Sequence, residues 1–79
     1  MHKVKMNVMV LGFDATLRKE PEGGFTISVP LLPGCVTYGE TFEEAERMAE
    51  EAIALYVESL QVHGENIPSQ YERNYEELS

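Results

Sequence analysis

Residues 3–19 alternate between apolar and polar positions, but the alternation changes phase part-way. Val4, Met6, Val8 and Val10 hold the even positions, opposite Lys3, Lys5 and Asn7. After Gly12 the apolar set becomes Phe13, Ala15 and Leu17, opposite Asp14, Thr16 and Arg18. A period of two marks a half-buried strand. A slip of one residue turns every later side chain to the other face, so Gly12 has to absorb it. It does so either as a bulge or bend within one strand or as the break between two. Both faces of residues 8–11 are apolar, which suits a segment covered on both sides, for example by a second subunit.

The next strand signal is Phe25, Ile27 and Val29, alternating with Thr26 and Ser28. Glu20-Pro21-Glu22-Gly23-Gly24 before it reads as a hairpin loop, so the Leu17 and Phe25 strands should pair antiparallel. Pro30 ends the strand, because it has no N–H for the ladder, and Pro33-Gly34 turns the chain with a positive φ at Gly34. Cys35 to Tyr38 returns as a further strand, and Gly39 breaks it. Thr41 and Glu44 then form a capping box, in which each side chain bonds the other residue's backbone N–H.

A helix follows from about Phe42 to His63, roughly 33 Å at about 1.5 Å per residue. Phe42, Ala45, Ala49, Ala52, Ile53, Tyr56 and Leu60 share one face, and Glu43, Glu44, Arg47, Glu50, Glu51 and Glu58 the other. Met48, Leu55 and Val62 form a second, narrower apolar row that either widens the core or meets a partner. Gly64 stands where a left-handed C-cap belongs, with His63 in the last turn. Ile67-Pro68 introduces a short extended piece. The expected fold is α+β: an antiparallel three-stranded β-meander followed by one long helix on the sheet, with room for a short final strand. Residues 1–70 make a single domain and 71–79 an acidic tail.

Size and charge narrow the function. A chain of 79 residues buries only about 60 % of the surface it exposes unfolded, so a staple or partner is expected. One cysteine allows no internal disulfide and, with two histidines, no zinc set. Oligomerisation is left, at least to a dimer. A net charge of −8 repels phosphate backbones, arguing against direct nucleic-acid binding, and draws in a basic partner. Solubility alone would also explain it. No apolar run nears the roughly 18 residues of a membrane span, and no signal peptide is present, so a cytoplasmic protein is expected.

Candidate chemistry is thin. Cys35 would need a base and an electropositive pocket, and His2 and His63 are both remote, so a small buried strand residue is the better reading. The helix glutamates fan across a solvated face, and only Asp14 sits on a strand to complement them, which is no metal site. Glu22-Gly23-Gly24 and Pro33-Gly34 are turn chemistry, not phosphate cradles. No enzyme and no cofactor emerge.

One longer pattern remains. Glu22-Gly23-Gly24-Phe25, Val29-Pro30-Leu31-Leu32-Pro33-Gly34-Cys35, Gly39-Glu40-Thr41-Phe42-Glu43-Glu44-Ala45, Glu51-Ala52-Ile53 and Ile67-Pro68 together resemble the HicB antitoxin family over roughly residues 14–70. Pro30, Pro33, Gly34, Cys35, Gly39, Thr41 and Glu44 carry most of that pattern. The resemblance implies a β-β-β-α core like a trimmed RNase H or double-stranded-RNA-binding shape without catalytic residues. It also implies binding to a small basic HicA-type mRNA interferase, whose catalytic histidine the antitoxin shields. Many HicB antitoxins add a C-terminal DNA-binding domain, and with so little chain after Ile67-Pro68 that autoregulatory role is not expected here. Glu43, Glu50, Glu51 and Glu22 are the candidate partner contacts. A homo-oligomeric scaffold or small-ligand module without a toxin is the alternative.

Overall fold

The computed structural model describes residues 4–68. Within them run β1 (Val4–Val10), β2 (Phe13–Lys19), β3 (Phe25–Ser28), β4 (Val36–Gly39) and α1 (Phe42–Val62). The strands form one antiparallel sheet in the order β1-β2-β3-β4, with each pair adjacent in sequence. The expected three-stranded meander is therefore β2-β3-β4, and β1 adds a fourth strand. Residues 65–68 form no strand, and the expected acidic tail at 71–79 lies outside the described residues.

The phase slip at Gly12 is a hairpin. Met6 stands opposite Leu17, Val8 opposite Ala15 and Val10 opposite Phe13, so even positions of β1 share a face with odd positions of β2. Leu11 (φ 50) and Gly12 (φ 84) make the turn. Two consecutive positive φ values define the tight hairpin turn whose twist matches the strands it joins. Asn or Gly would ordinarily stand first in it, and Leu11 holds that conformation at a steric cost.

Between β3 and β4 the chain makes two stacked turns. Leu32 N–H donates to the Val29 carbonyl (3.0 Å), with Pro30 presetting the first turn. Cys35 N–H donates to the Leu32 carbonyl (2.9 Å) over Pro33-Gly34, and Val29 N–H closes the loop onto the Cys35 carbonyl (3.0 Å). Leu32 is thereby driven fully into the core, beside Val29 and Cys35. Gly34 sits at φ 83 with open space where a Cβ would stand, so its constraint is the dihedral alone. Gly34→Val should cost about 1–2 kcal/mol, the penalty for a side chain in left-handed backbone. A urea melt would check it, and an unchanged midpoint would show that the turn readily changes type.

The helix begins as its caps dictate, with one difference. Thr41 Oγ1 accepts from Glu44 N–H (3.1 Å), but the Glu44 carboxylate accepts from the N–H of Glu40 (2.6 Å), not from that of Thr41. The cause is Gly39. It is the last residue of β4, opposite Phe25, rather than a break before the helix. Its backbone lies against that of Glu44 and Ala45, where a Cβ would overlap both. Glu40 is thus held over the first turn. At the other end Gly64 N–H donates to Gln61 and Glu65 N–H to Leu60 (2.8 Å), with Gly64 at φ 71. This is the double-bonded left-handed cap.

Ala45, Ala49 and Ile53 press onto Val10, Ala15, Leu17 and Ile27. Small alanines let the helix approach closely, and Phe25 and Phe42 meet edge to face at 6.5 Å beside them. The helix lies chiefly over β4 and β3 and touches β1 only slightly. The helix side of β1 is consequently only partly covered, with Met6 about half exposed; Met9, on the face turned away from α1, is half exposed as well.

Candidate partner interface

Helix geometry sorts the surface of α1 into three lines. Taking about 100° per residue, Met48, Leu55 and Val62 lie roughly 120° around the helix from the Ala45-Ala49-Ile53 core line. They do not widen the core: they are 40 %, 66 % and 76 % exposed. Glu51 and Glu58 run beside them, on the side facing away from the sheet, and both are exposed. Glu43 and Glu50, also exposed, form the third line on the opposite flank. Of the predicted contacts, α1 therefore brings Glu43 and Glu50 together and sets Glu51 against the apolar row. Arg47 is the single Lys or Arg of the helix.

Glu22 belongs elsewhere. It lines a hollow with Glu20 of the same loop and with Arg18, Thr26 and Tyr38, whose strand positions face away from α1. There the Arg18 guanidinium Nε meets Glu20 Oε2 at 2.9 Å, and Thr26 Oγ1 donates to the same oxygen at 2.6 Å. Tyr38 Oη donates to the Gly23 carbonyl (3.1 Å). This cluster pins the β2–β3 loop. Sequence reasoning missed it, because Arg18 and Thr26 become neighbours only through the cross-strand register. A third feature is a shallow groove beside the second half of α1, lined by Leu11, Phe13, Val57, Gln61 and Ile67.

Nothing in this surface is arranged for covalent chemistry. Cys35 is buried, and burial pushes its thiol pKa up, which keeps it protonated and unreactive. The His63 ring is exposed at the helix end, where Nδ1 lies 2.8 Å from the Ser59 carbonyl, a contact that requires the proton on that nitrogen. Among the described residues no three metal-binding side chains gather, and no helix is long and apolar enough to cross a membrane.

A family model described as the HicB-like antitoxin of bacterial toxin-antitoxin systems matches residues 13–77. The chain belongs to the HicB-like antitoxin family. The match spans β2, β3, β4 and α1, the elements on which the two-turn loop and the helix cap are built. Relatives within reach include the UPF0150 protein Ta0767 of Thermoplasma acidophilum, 43 % identical over 71 % of this chain and 81 % of its own length. The UPF0150 protein ssr1765 of Synechocystis is 39 % identical over 77 % of each chain. A UPF0150 protein of Helicobacter pylori is 44 % identical over 61 % of this chain and 65 % of its own. No solved structure matches the chain. Membership in the HicB-like family supports an antitoxin role.

Proposed function

We propose that this HicB-like protein neutralises a small basic toxin of HicA type by covering it with the exposed side of α1. The observation that carries the reading is the segregation of charge on that helix. Glu43, Glu50, Glu51 and Glu58 are exposed there with one cation among them, in a chain that belongs to the HicB-like antitoxin family. A toxin that grips RNA presents cations, and an acidic cover complements them and speeds their encounter. The protein acts by binding, with no catalytic residue of its own.

It does so as a homodimer or larger homo-oligomer. β1 is an edge strand, and edges offer unpaired backbone groups to another strand. Met6, Met9 and Leu11 are exposed along it, and the strand contains no acidic residue. An edge that carries Lys5 and no carboxylate brings two copies of an acidic protein together with little repulsion. A scaffold without any toxin would use the same edge, so assembly alone does not separate the two readings.

Reversing Glu43, Glu50 and Glu51 together to lysine separates them. The probe is a small basic toxin of HicA type, immobilised for surface plasmon resonance. Its association with the triple variant should be about tenfold slower or more at low salt, with the gap narrowing as salt is added. The mass from light scattering should stay that of the wild-type oligomer. An unchanged association rate would remove the acidic face from the contact, and a wild type that ignores the probe would sink the antitoxin reading.

A further inference from the structure

We infer that Met48, Leu55 and Val62 are the apolar anchor of the partner contact, and that their occupant is an amphipathic helix of a basic partner whose apolar and cationic side chains repeat at the same spacing. The inference rests on the antitoxin reading and adds which surface holds the partner and what shape it takes. A lone exposed apolar residue needs no explanation. Three in register do. Their seven-residue spacing stacks them along one line about 10.5 Å apart, at about 1.5 Å per residue. That repeat is the one a second helix matches when it lies alongside at a shallow angle. Ala52 and Ser59, between them and the core line, are small and let a partner helix approach closely.

Charge chooses the occupant. Glu51 lies beside the gap between Met48 and Leu55, and Glu58 beside the gap between Leu55 and Val62, so an acidic row flanks the apolar one. A second copy of α1 laid on this line would oppose glutamate to glutamate, with Arg47 the only helix cation to relieve it. Like charges brought together in this way destabilise the pair. A partner helix carrying Lys or Arg beside its apolar positions pairs with both rows. Copies of this chain that meet at β1, as proposed above, leave α1 free for the partner.

The test is the double variant Leu55→Ser, Val62→Ser, with the same small basic HicA-type toxin as the probe. Both side chains are largely exposed, so the far-ultraviolet circular dichroism and melting temperature of the variant should match wild type. The probe should dissociate from it at least about tenfold faster, because loss of desolvated anchors shows in the off-rate. That change should persist at high salt, unlike the association defect of the lysine triple variant. Binding by wild type with an unchanged off-rate in the double variant would overturn the anchor while leaving the antitoxin reading standing. Failure of wild type to bind would overturn that reading and this inference with it. A double variant with half the wild-type mass in light scattering would assign the line to a second copy and overturn the proposed occupant.

Discussion

Gly39→Ala should leave little folded protein, costing about 3 kcal/mol or more, at the upper end of overpacking penalties. Most over-large substitutions are relieved by a rotamer change. Here the new methyl would overlap backbone atoms of Glu44 and Ala45, and no side chain can move aside. Relief would require β4 and the start of α1 to separate. That separation breaks the Phe25–Gly39 rung, the Glu40 to Glu44 hydrogen bond and the packing of Ala45, which is fully buried. For a domain of this size about 3 kcal/mol lowers the melting temperature by roughly 12–24 °C. Differential scanning calorimetry reads this directly. A variant melting within a few degrees of wild type would show that the strand–helix junction is looser than the geometry states.

Leu32→Ala should cost about 2–5 kcal/mol, the range for deleting a fully buried leucine side chain. The position looks dispensable by location, in a loop between two proline turns. Burial decides otherwise: Leu32 is 0 % exposed and sits among Val29, Cys35 and the strands. The loop is held to the sheet by the Val29–Cys35 hydrogen bond, so it has little freedom to collapse into the cavity. The contrast is Val36, one residue past the loop and 59 % exposed, where truncation to alanine should move stability by no more than about 0.5 kcal/mol. Paired chemical denaturation curves for the two alanine variants would test the ranking. Equal midpoints would mean that the loop carries no core weight.

The parts of this fold that were legible in the sequence are those fixed by local chemistry. The helix, its Thr41 start and its Gly64 stop follow from capping rules, and the loops at Pro21 and Pro33-Gly34 from turn residues. The β1–β2 hairpin was only half legible. A phase change at Gly12 is what a two-residue hairpin produces, but Leu11 is a poor residue for that turn, so the usual Asn-Gly or Asp-Gly signal is missing. The reach of Glu44 to Glu40 was hidden too, because it depends on how closely Gly39 lies on the helix. At the candidate interface the row Met48, Leu55, Val62 was visible, but not its exposure. That depends on α1 lying over β4 and β3, a tertiary fact that no periodicity encodes. Glu22 was grouped with the helix glutamates by charge, and the sheet places it on the other side.

The order β1-β2-β3-β4-α1 has a kinetic consequence. Each strand pairs with its neighbour in sequence, and the helix packs most extensively on the strand that precedes it. Nearly all the loops that must close are short, so little chain entropy is lost before contacts begin to reward it. A topology of such local pairings favours fast folding. A domain this small would regain its packed, acidic helix face without waiting for distant parts of the chain to meet.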